Sequence, residues 1–568
     1  MSPGPLLAAL LRMFRQRRAW VPVLALAGSV VALTLVFRRL DPQALREGWR
    51  RLDPAWYLLA HLVFGLATLF SGLRWHILLR LARLAVHGVA SVRLVAISHF
   101  FATALVGSSS ADVVKSALYA RWYRFPVASV WAGSVLDRMT AGVGGLLFGA
   151  SAMGLGWWSG GFGVLREIHW REFPSRLPAL TGGVVAAALV VAAGAVAWVG
   201  LARPGSFLER WRRSLRESGG RLFTAPRLAT PALAASIGSA ALFNIAQLCC
   251  LQAVSEEPVA WGRLLWMQYL ITACAALPVS MAGAGLREAA SMLLLGQAGI
   301  SPATAVSASL LTLSIHATWA VGGALGWARE EHVRRRVPKR ATVVSLAAVI
   351  PTRNEARNLG ETVRRIRANP EFTEILVVDG GSTDDTVEQA VRLGCRVLST
   401  GRGRGLQQRE GARVATADAV VFVHADVWLP ADAGQAILSC LRDDTVVGGG
   451  LWKRFADAPW PMRGARLRCG LRLWTAGNVL GDQALFVRRD VLQEVGGVPD
   501  QPLMEEVELC RRLGREGRLA LAGATVAASA RRFRERGVWR TYWRMWRVSW
   551  AHWRGVPPAE LARMYDRP

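Results

Sequence analysis

Four carboxylates in the last 200 or so residues stand where nucleotide and phosphate chemistry could be done. Asp379 sits in VVDGGSTDDT, at the carboxyl end of an apolar run of strand length. There it could accept hydrogen bonds from a nucleobase or ribose, and Gly380 and Gly381 would let a ligand approach the backbone. The same residues also suit a plain strand-to-helix turn capped by Ser382 or Thr383, and both readings can hold together. Asp426, in FVHADV, is the metal candidate, because a hard cation bridging two phosphates often takes only one or two protein carboxylates. A strand-end Asp capping a turn would look the same. Glu505 and Glu506 open the helical run in PLMEEVELCRRLG. One of them could be a general base that deprotonates a hydroxyl, although acids in a first turn are favoured by the helix dipole alone. GRGRGLQQREGA, 401–412, could cradle a diphosphate with Arg402, Arg404 and backbone N–H groups. A basic surface loop has the same composition.

The elements that must position these groups alternate. VVSLAAVIP, EILVVDG, CRVLST and AVVFVHADV read as strands, separated by helical segments of 10–15 residues, which predicts a mostly parallel α/β sheet. Ligands of such sheets bind beyond the carboxyl ends of the strands. Pro351, Thr352, Arg353, Asn354 and Glu355 fall there, as do Asp379, His424 and Asp426. Nucleotidyl transfer would want a glycine-rich loop directly after the first strand, and TRNEARN contains no glycine.

The rest of the chain is different in kind. Hydrophobic residues make up 52% of the 568 residues, and the mean hydropathy is +0.26. Only 14 of the 40 acids lie in residues 1–340, as expected where lipid is the solvent. The net charge of +29 comes from arginines flanking apolar runs, which suits anionic headgroups and cytoplasmic loops better than nucleic acid. None of the seven cysteines forms a CxxC pair, so no zinc or redox framework is visible. Runs near 19–37, 54–79, 128–157, 178–202, 230–254 and 301–327 are long enough to span, the first as a retained anchor. Two further apolar stretches, 99–122 and 275–296, are broken by small residues and run into Asp112 and Lys115 in one, Arg287 and Glu288 in the other. Paired interruptions of this kind point to a transport site, while Gly and Ser at helix contacts are the ordinary alternative. Asp137 and Arg138 lie inside a spanning run, where charge is costly and marks function by default. Arg-rich stretches at 203–229 and at the seam near 330–340 predict a cytoplasmic face, and the acidic SEEPVA at 255–260 the outside. Six spans plus two re-entrant hairpins satisfy those three constraints, although the basic 38–53 loop then falls outside.

At these residues the chain resembles known families. TALVGSSSADVVKSALYAR, SVLDRMTAGVGGLL and LPVSMAGAGLREAA look like the flippase-like membrane domain of the lysylphosphatidylglycerol synthase family, over roughly residues 10–330. That resemblance implies handling of a lipid. VIPTRNEA, VVDGGSTDDT, FVHADVWLP, GDQALFVRRD, PLMEEVELCRRL and GVPPAELARMY occur in the order of a family 2 glycosyltransferase of GT-A fold, close to the arsenosugar-biosynthesis or selenodomain-associated subgroup. It implies inverting transfer from a nucleotide-sugar with Mg2+ or Mn2+. Carried over, Asp379 would hold the nucleotide, Asp426 the metal, and Glu506 would be the base where the family usually has Asp. Asp482, Gln483 and Arg511 fall on the acceptor side. The expected architecture is a polytopic helical membrane domain (1–330), a basic linker (331–344), a GT-A domain (345–530) and a Trp/Arg-rich tail (531–568). The expected function is glycosyl transfer to a lipid or lipid-linked acceptor at the cytoplasmic face of the plasma membrane. The rival is a lipid transporter whose soluble half is a nucleotide-sugar sensor or a degenerate transferase.

The tail carries its own pattern. Trp539, Trp543, Trp546, Trp550 and Trp553 repeat at helical spacing and interleave with Arg536, Arg540, Arg544, Arg547 and Arg554. This predicts an interfacial helix; the alternatives are a stripe packed on protein or, remotely, a single-stranded nucleic-acid platform.

Overall fold

The computed structural model describes residues 41–82, 84, 88–104, 108–158, 207–276, 283–456, 462 and 464–566, with isolated positions before 41. The chain folds as two compact units that divide at Glu330 and Glu331.

The N-terminal unit is helical: α1 (Pro42–Arg50), α2 (Pro54–Leu81), α3 (Gly88–Ala104), α4 (Ser108–Trp122), α5 (Val127–Trp158), α6 (Phe207–Thr224), α7 (Pro226–Gln252), α8 (Trp261–Ala275), α9 (Leu286–Gln297) and α10 (Pro302–Arg336). The starts follow local chemistry. Asp53 caps α2 by accepting from the Ala55 N–H at 2.8 Å, with Pro54 at the first helical position, where its missing N–H costs nothing. Among the described residues, α2, α5, α7 and α10 are long and apolar enough to cross a membrane. They match the expected spans 54–79, 128–157, 230–254 and 301–327, whereas 178–202 and nearly all of 19–37 lie outside the described residues. The two broken segments become α3–α4 and α8–α9, and the joins at 105–107 and 277–282 also lie outside them.

The C-terminal unit is built on one eight-stranded sheet of order β3-β2-β1-β4-β7-β6-β8-β5. Its strands are β1 (Leu346–Thr352), β2 (Phe372–Asp379), β3 (Arg396–Ser399), β4 (Ala419–Phe422), β5 (Val427–Trp428), β6 (Val446–Phe455), β7 (Leu485–Arg488) and β8 (Arg518–Ala528). The helices that concern the site are α11 (Ala356–Arg367), α12 (Thr386–Arg392), α13 (Arg404–Val414), α14 (Ala433–Leu441), α15 (Ala465–Ala476), α16 (Arg489–Glu494), α17 (Glu505–Glu516), α18 (Arg531–Arg536), α19 (Val538–Trp553) and α20 (Pro558–Asp566). Side chains alternate across a strand, and both faces here are covered. Leu346, Ala348 and Ile350 of β1 join one core with Val377 and Val421. Ala347 and Val349 join the other with Leu376, Val378 and Phe422. That double burial is why the strands read as unbroken apolar runs.

The sheet is less parallel than the alternation predicts. β1–β2, β1–β4, β2–β3 and β6–β8 pair in parallel, but β4–β7, β6–β7 and β5–β8 are antiparallel. AVVFVHADV is also shorter than expected as a strand. β4 ends at Phe422, and the chain turns through His424–Val427, closed by the Val427 N–H on the His424 carbonyl at 3.0 Å. The basic stretch 331–344 is fixed at several points. Arg334 forks the Asp443 carboxylate at 2.9 Å on both arms. Arg340 grips Glu494 at 2.9 and 3.1 Å, and Asp418 accepts from the Val344 and Ser345 N–H groups.

Candidate active site

The site is assembled from the loops at the carboxyl ends of β1, β2 and β4 together with the first turns of α13 and α17. The β1 and β2 loops are bonded into one cradle. Asp379 accepts from the Gly381 and Ser382 N–H groups at 2.9 Å each and from the Ser382 hydroxyl at 2.5 Å. Its buried carboxylate therefore shapes the loop first. Asn354 holds φ at 55°, a conformation rare outside glycine. Its side-chain oxygen accepts from the Thr383 N–H at 2.8 Å, and its own N–H reaches the Ser382 hydroxyl at 2.9 Å. Glu355 closes the next step through its N–H on the Thr386 hydroxyl at 2.9 Å. The sequence-predicted residues Thr352, Asn354, Glu355, Asp379, Gly380 and Ser382 are thus brought together.

Gln407, which no motif flags, locks the cradle from below. Its buried amide donates to the Thr352 and Val378 carbonyls at 2.7 and 2.8 Å. Three residues earlier on α13, Arg404 donates to Glu505 at 2.5 Å and lies 3.9 Å from Glu506. One turn of helix therefore joins the cradle to the acidic pair. Gly405 permits this: a Cβ there would stand 2.9 and 3.0 Å from the Pro499 and Gln501 carbonyl oxygens, so a side chain would push α13 off the loop leading to α17. Arg404, expected at a diphosphate, rests on the glutamates with 38% of its side chain exposed, which leaves it within reach of a ligand.

Glu505 and Glu506 are both buried in the first turn of α17, where orphan N–H groups favour negative charge. The preceding Met504 sits at φ 64°. Glu506 accepts from the Gly481 N–H at 2.7 Å, and His424 Nε2 lies 3.5 Å from its other oxygen, long for a hydrogen bond. A Cβ at Gly481 would overlap both the Glu506 carboxylate and His424, so any other residue there would displace those two side chains. Burial by itself raises the Glu506 carboxyl, but Arg404, then His424 and the Gly481 N–H, hold it well below the usual range, at about 2. Among the described residues four non-glycines have positive φ, and three of them (Asn354, Ala484 and Met504) flank these loops, where backbone strain tends to collect.

The remaining assignments separate. Asp482 is bound by Lys453 at 2.5 Å and stays partly exposed, so it can face an incoming group. Gln483 is fully buried, its amide held by the Leu451 carbonyl and by Arg472, so it braces the loop and cannot touch an acceptor. Arg511 pairs with Glu508 on the exposed side of α17, away from the first-turn acids. Both corrections have one cause: motif order places a residue on a loop or helix but does not say which way it points.

No group of three or more His, Cys, Asp or Glu that could hold a metal occurs among the described residues. A cation shared with a diphosphate needs fewer ligands. Asp426 fits that role: its carboxylate is half-buried in the His424–Val427 turn, with no hydrogen bond or ion pair of its own among the described residues. His424 is turned toward Glu506 instead.

In the membrane unit the expected polar residues form two groups, in which Lys115, Asp137, Arg287 and Glu288 are buried, Asp112 is partly buried and Arg138 is exposed. Asp137 accepts from Arg74 Nε at 2.7 Å, a partner not singled out in the sequence. Lys115 Nζ lies 3.0 Å from Asp112 and 3.4 Å from Asp137, and Arg138 pairs with Asp112. Glu288 accepts from the Gly285 N–H at 2.5 Å and the Ser309 hydroxyl at 2.8 Å, beside buried Arg287.

A mixed α/β sheet with its polar loops at the carboxyl ends of β1, β2 and β4 follows a set of helices of which four are long and apolar enough to cross a membrane. Residues 22–324, more than half of the chain, match the lysylphosphatidylglycerol synthase TM region, and the chain belongs to that family. Residues 347–492 match glycosyl transferase family 2. An uncharacterized glycosyltransferase of Escherichia coli K12, YaiP, is 32% identical over 114 residues, 18% of this chain and 28% of that protein. Among solved structures, TarS of S. aureus (residues 1–349) is 15% identical with a TM-score of 0.27, over 33% of this chain and 60% of that one. The mannosyltransferase PcManGT of Pyrobaculum calidifontis, solved with GDP-Man and Mn2+, is 19% identical with a TM-score of 0.29, over 40% and 68%. The chain thus spans under a third of the curated relative and 60% of the TarS fragment.

Arg404→Gln tests the electrostatics. It removes the strongest force holding Glu506 down, so that carboxyl rises. With Glu506 as the base, which must be ionised to work, the acid limb of kcat/KM moves to higher pH, by about one unit or more. A limb that stays in place would show that another group titrates.

Proposed function

We propose that this protein transfers a sugar, with inversion, from a nucleotide-activated donor to a hydroxyl of a lipid or lipid-linked acceptor at the cytoplasmic face of the plasma membrane. The observation that carries the reading is Glu506: buried, fixed by the Gly481 N–H, and joined through Arg404 and α13 to the cradle at β1 and β2. The cradle suits the nucleoside, with backbone between Pro351 and Glu355 on one side and Asp379 to Ser382 on the other. A diphosphate within reach of Arg404 would compete with Glu505 for the guanidinium, which would free Glu506 to act as a base. Glu506 then takes the proton of the acceptor hydroxyl as that oxygen attacks the anomeric carbon, and the bond to the nucleoside diphosphate breaks. A divalent cation, Mg2+ or Mn2+, held through Asp426 would supply charge neutralisation on the leaving diphosphate. The cytoplasmic assignment rests on Arg334, Arg335 and Arg336 at the end of α10 and the positive-inside bias.

The domains divide the work as their chemistry suggests. The Asp112–Lys115–Asp137–Arg138 group and the neighbours Arg287 and Glu288 are costly in lipid even when paired, and such charges mark a functional site by default. The membrane unit therefore presents the acceptor or moves the product. The test is purified full-length protein in lipid bilayers, supplied with radiolabelled nucleotide-sugars and membrane lipid extract. Label should pass to the organic phase with stoichiometric release of nucleoside diphosphate. Donor binding with no turnover on any donor would instead establish a sensor attached to a lipid transporter.

A further inference from the structure

The Trp stripe does not pack on the transferase core. All five tryptophans of α19 are between 44% and 82% exposed, while the opposite face of the helix, Val548 and Ala551, is buried with Leu561 against Leu503 and Met504. A second exposed stripe lies beside it. On α15, Leu467, Leu471 and Trp474 recur at spacings of four and three, so they share one face, and Trp474 is 84% exposed. The two helices are tied together: Arg468 of α15 donates to the Tyr542 hydroxyl of α19 at 2.9 Å and lies 5.4 Å from its ring. Tyr542 in turn stands on Phe533, and Phe533 on Phe455 of β6.

The chemistry of this paired surface is specific. Trp and Leu project outward among Arg466, Arg540, Arg547 and Arg554, and neither helix contains an acid. Indole prefers the headgroup layer and guanidinium prefers anionic lipid. A protein partner would also accept indole, but the acid-free arginine rim and the four spanning helices of the same chain select a bilayer.

Both helices also hold the acceptor side of the site. The residues after α15 lead to Gly481, whose N–H fixes Glu506, and Arg472 of α15 holds Gln483 at 2.5 Å. α19 packs on Leu503 and Met504, immediately before Glu505. We propose that α15 and α19 form one surface that seats in the headgroup layer of an anionic bilayer and thereby brings the rim formed by 480–483 and 503–506 to where a lipid hydroxyl emerges. This deepens the proposed transfer to a lipid acceptor, and the following readout involves no turnover, so the two ideas fail separately.

Full-length protein is placed in nanodiscs of phosphatidylcholine with or without phosphatidylglycerol, with the exposed Cys274 replaced by Ser. Spin labels are attached singly at Leu471→Cys, at Trp546→Cys and, as a control on the exposed side of α11, at Arg364→Cys. Collision with oxygen and with an aqueous nickel chelate reports depth. Labels at 471 and 546 should both read headgroup depth in the anionic discs. They should move toward water in neutral discs or when Arg540 and Arg547 become Gln, with the control in water throughout. Two labels in water in anionic discs would overturn the proposal. Labels shielded from both collision partners would also overturn it, by showing a protein contact on this face.

Discussion

Glu506→Gln lowers transfer by about two to four orders of magnitude and leaves the donor KM within about twofold. The substitution is close to isosteric. The amide oxygen can still accept from the Gly481 N–H, and Arg404 keeps its bond to Glu505, so both the loop and the helix start remain in place. Only the capacity to take a proton is lost. Rapid-quench measurement of a single turnover, alongside donor binding by calorimetry, separates the two quantities. A large rise in donor Kd with an unchanged chemical step would make Glu506 a donor ligand. Glu505→Gln is the contrasting case: it frees Arg404 and leaves the Glu506 carboxylate in place, so its effect falls on donor affinity as well as rate. Glu506→Asp keeps a carboxylate but withdraws it from Gly481, and falls between wild type and Gln.

Much of the first half of the C-terminal unit was legible because local pattern and global packing agree there. The runs read as strands from VVSLAAVIP to CRVLST became β1, β2 and β3, and the polar residues fell at their carboxyl ends as the parallel pairing requires. Beyond β4 the pattern no longer distinguishes the options. A strand buried on both faces looks the same in parallel and antiparallel pairing, so VVGGGLW gave no notice that β6 pairs with β7 in one sense and β8 in the other. Side-chain direction was equally hidden. Gln483 and Asp482 are neighbours in one motif, yet the first is buried under Arg472 and the second, partly exposed, meets buried Lys453. Gln407 was invisible because a buried glutamine within a polar helix has no sequence mark until its carbonyl partners are known. The α15 stripe was missed for a simpler reason: Leu467, Leu471 and Trp474 lie among other apolar residues of a 12-residue helix, which is ordinary in a core, and only exposure makes them informative.

Asp426→Ala removes metal-dependent transfer while the protein stays folded. The physical basis is the contrast with Asp379. Asp379 carries three hydrogen bonds of 2.5 to 2.9 Å that shape the β2 loop, so its loss would confound binding with local unfolding. The Asp426 carboxylate carries none among the described residues, and its turn is held by other groups: the Val427 N–H, the Thr362 hydroxyl on the Ala425 carbonyl at 2.6 Å, and its own carbonyl, which accepts from the Ser529 N–H at 3.1 Å. Its removal should therefore change stability by only about 0.5 kcal/mol. A carboxylate that does so little for the fold, placed two residues from the histidine that faces Glu506, is available to a cation on the diphosphate. Electron paramagnetic resonance of Mn2+ with a nucleoside diphosphate present should show binding weakened by at least about tenfold in the variant, independently of any assay of transfer. Wild-type Mn2+ affinity together with full metal-dependent turnover would move the cation to other ligands. Lost turnover with normal Mn2+ affinity would make Asp426 a contact to the sugar.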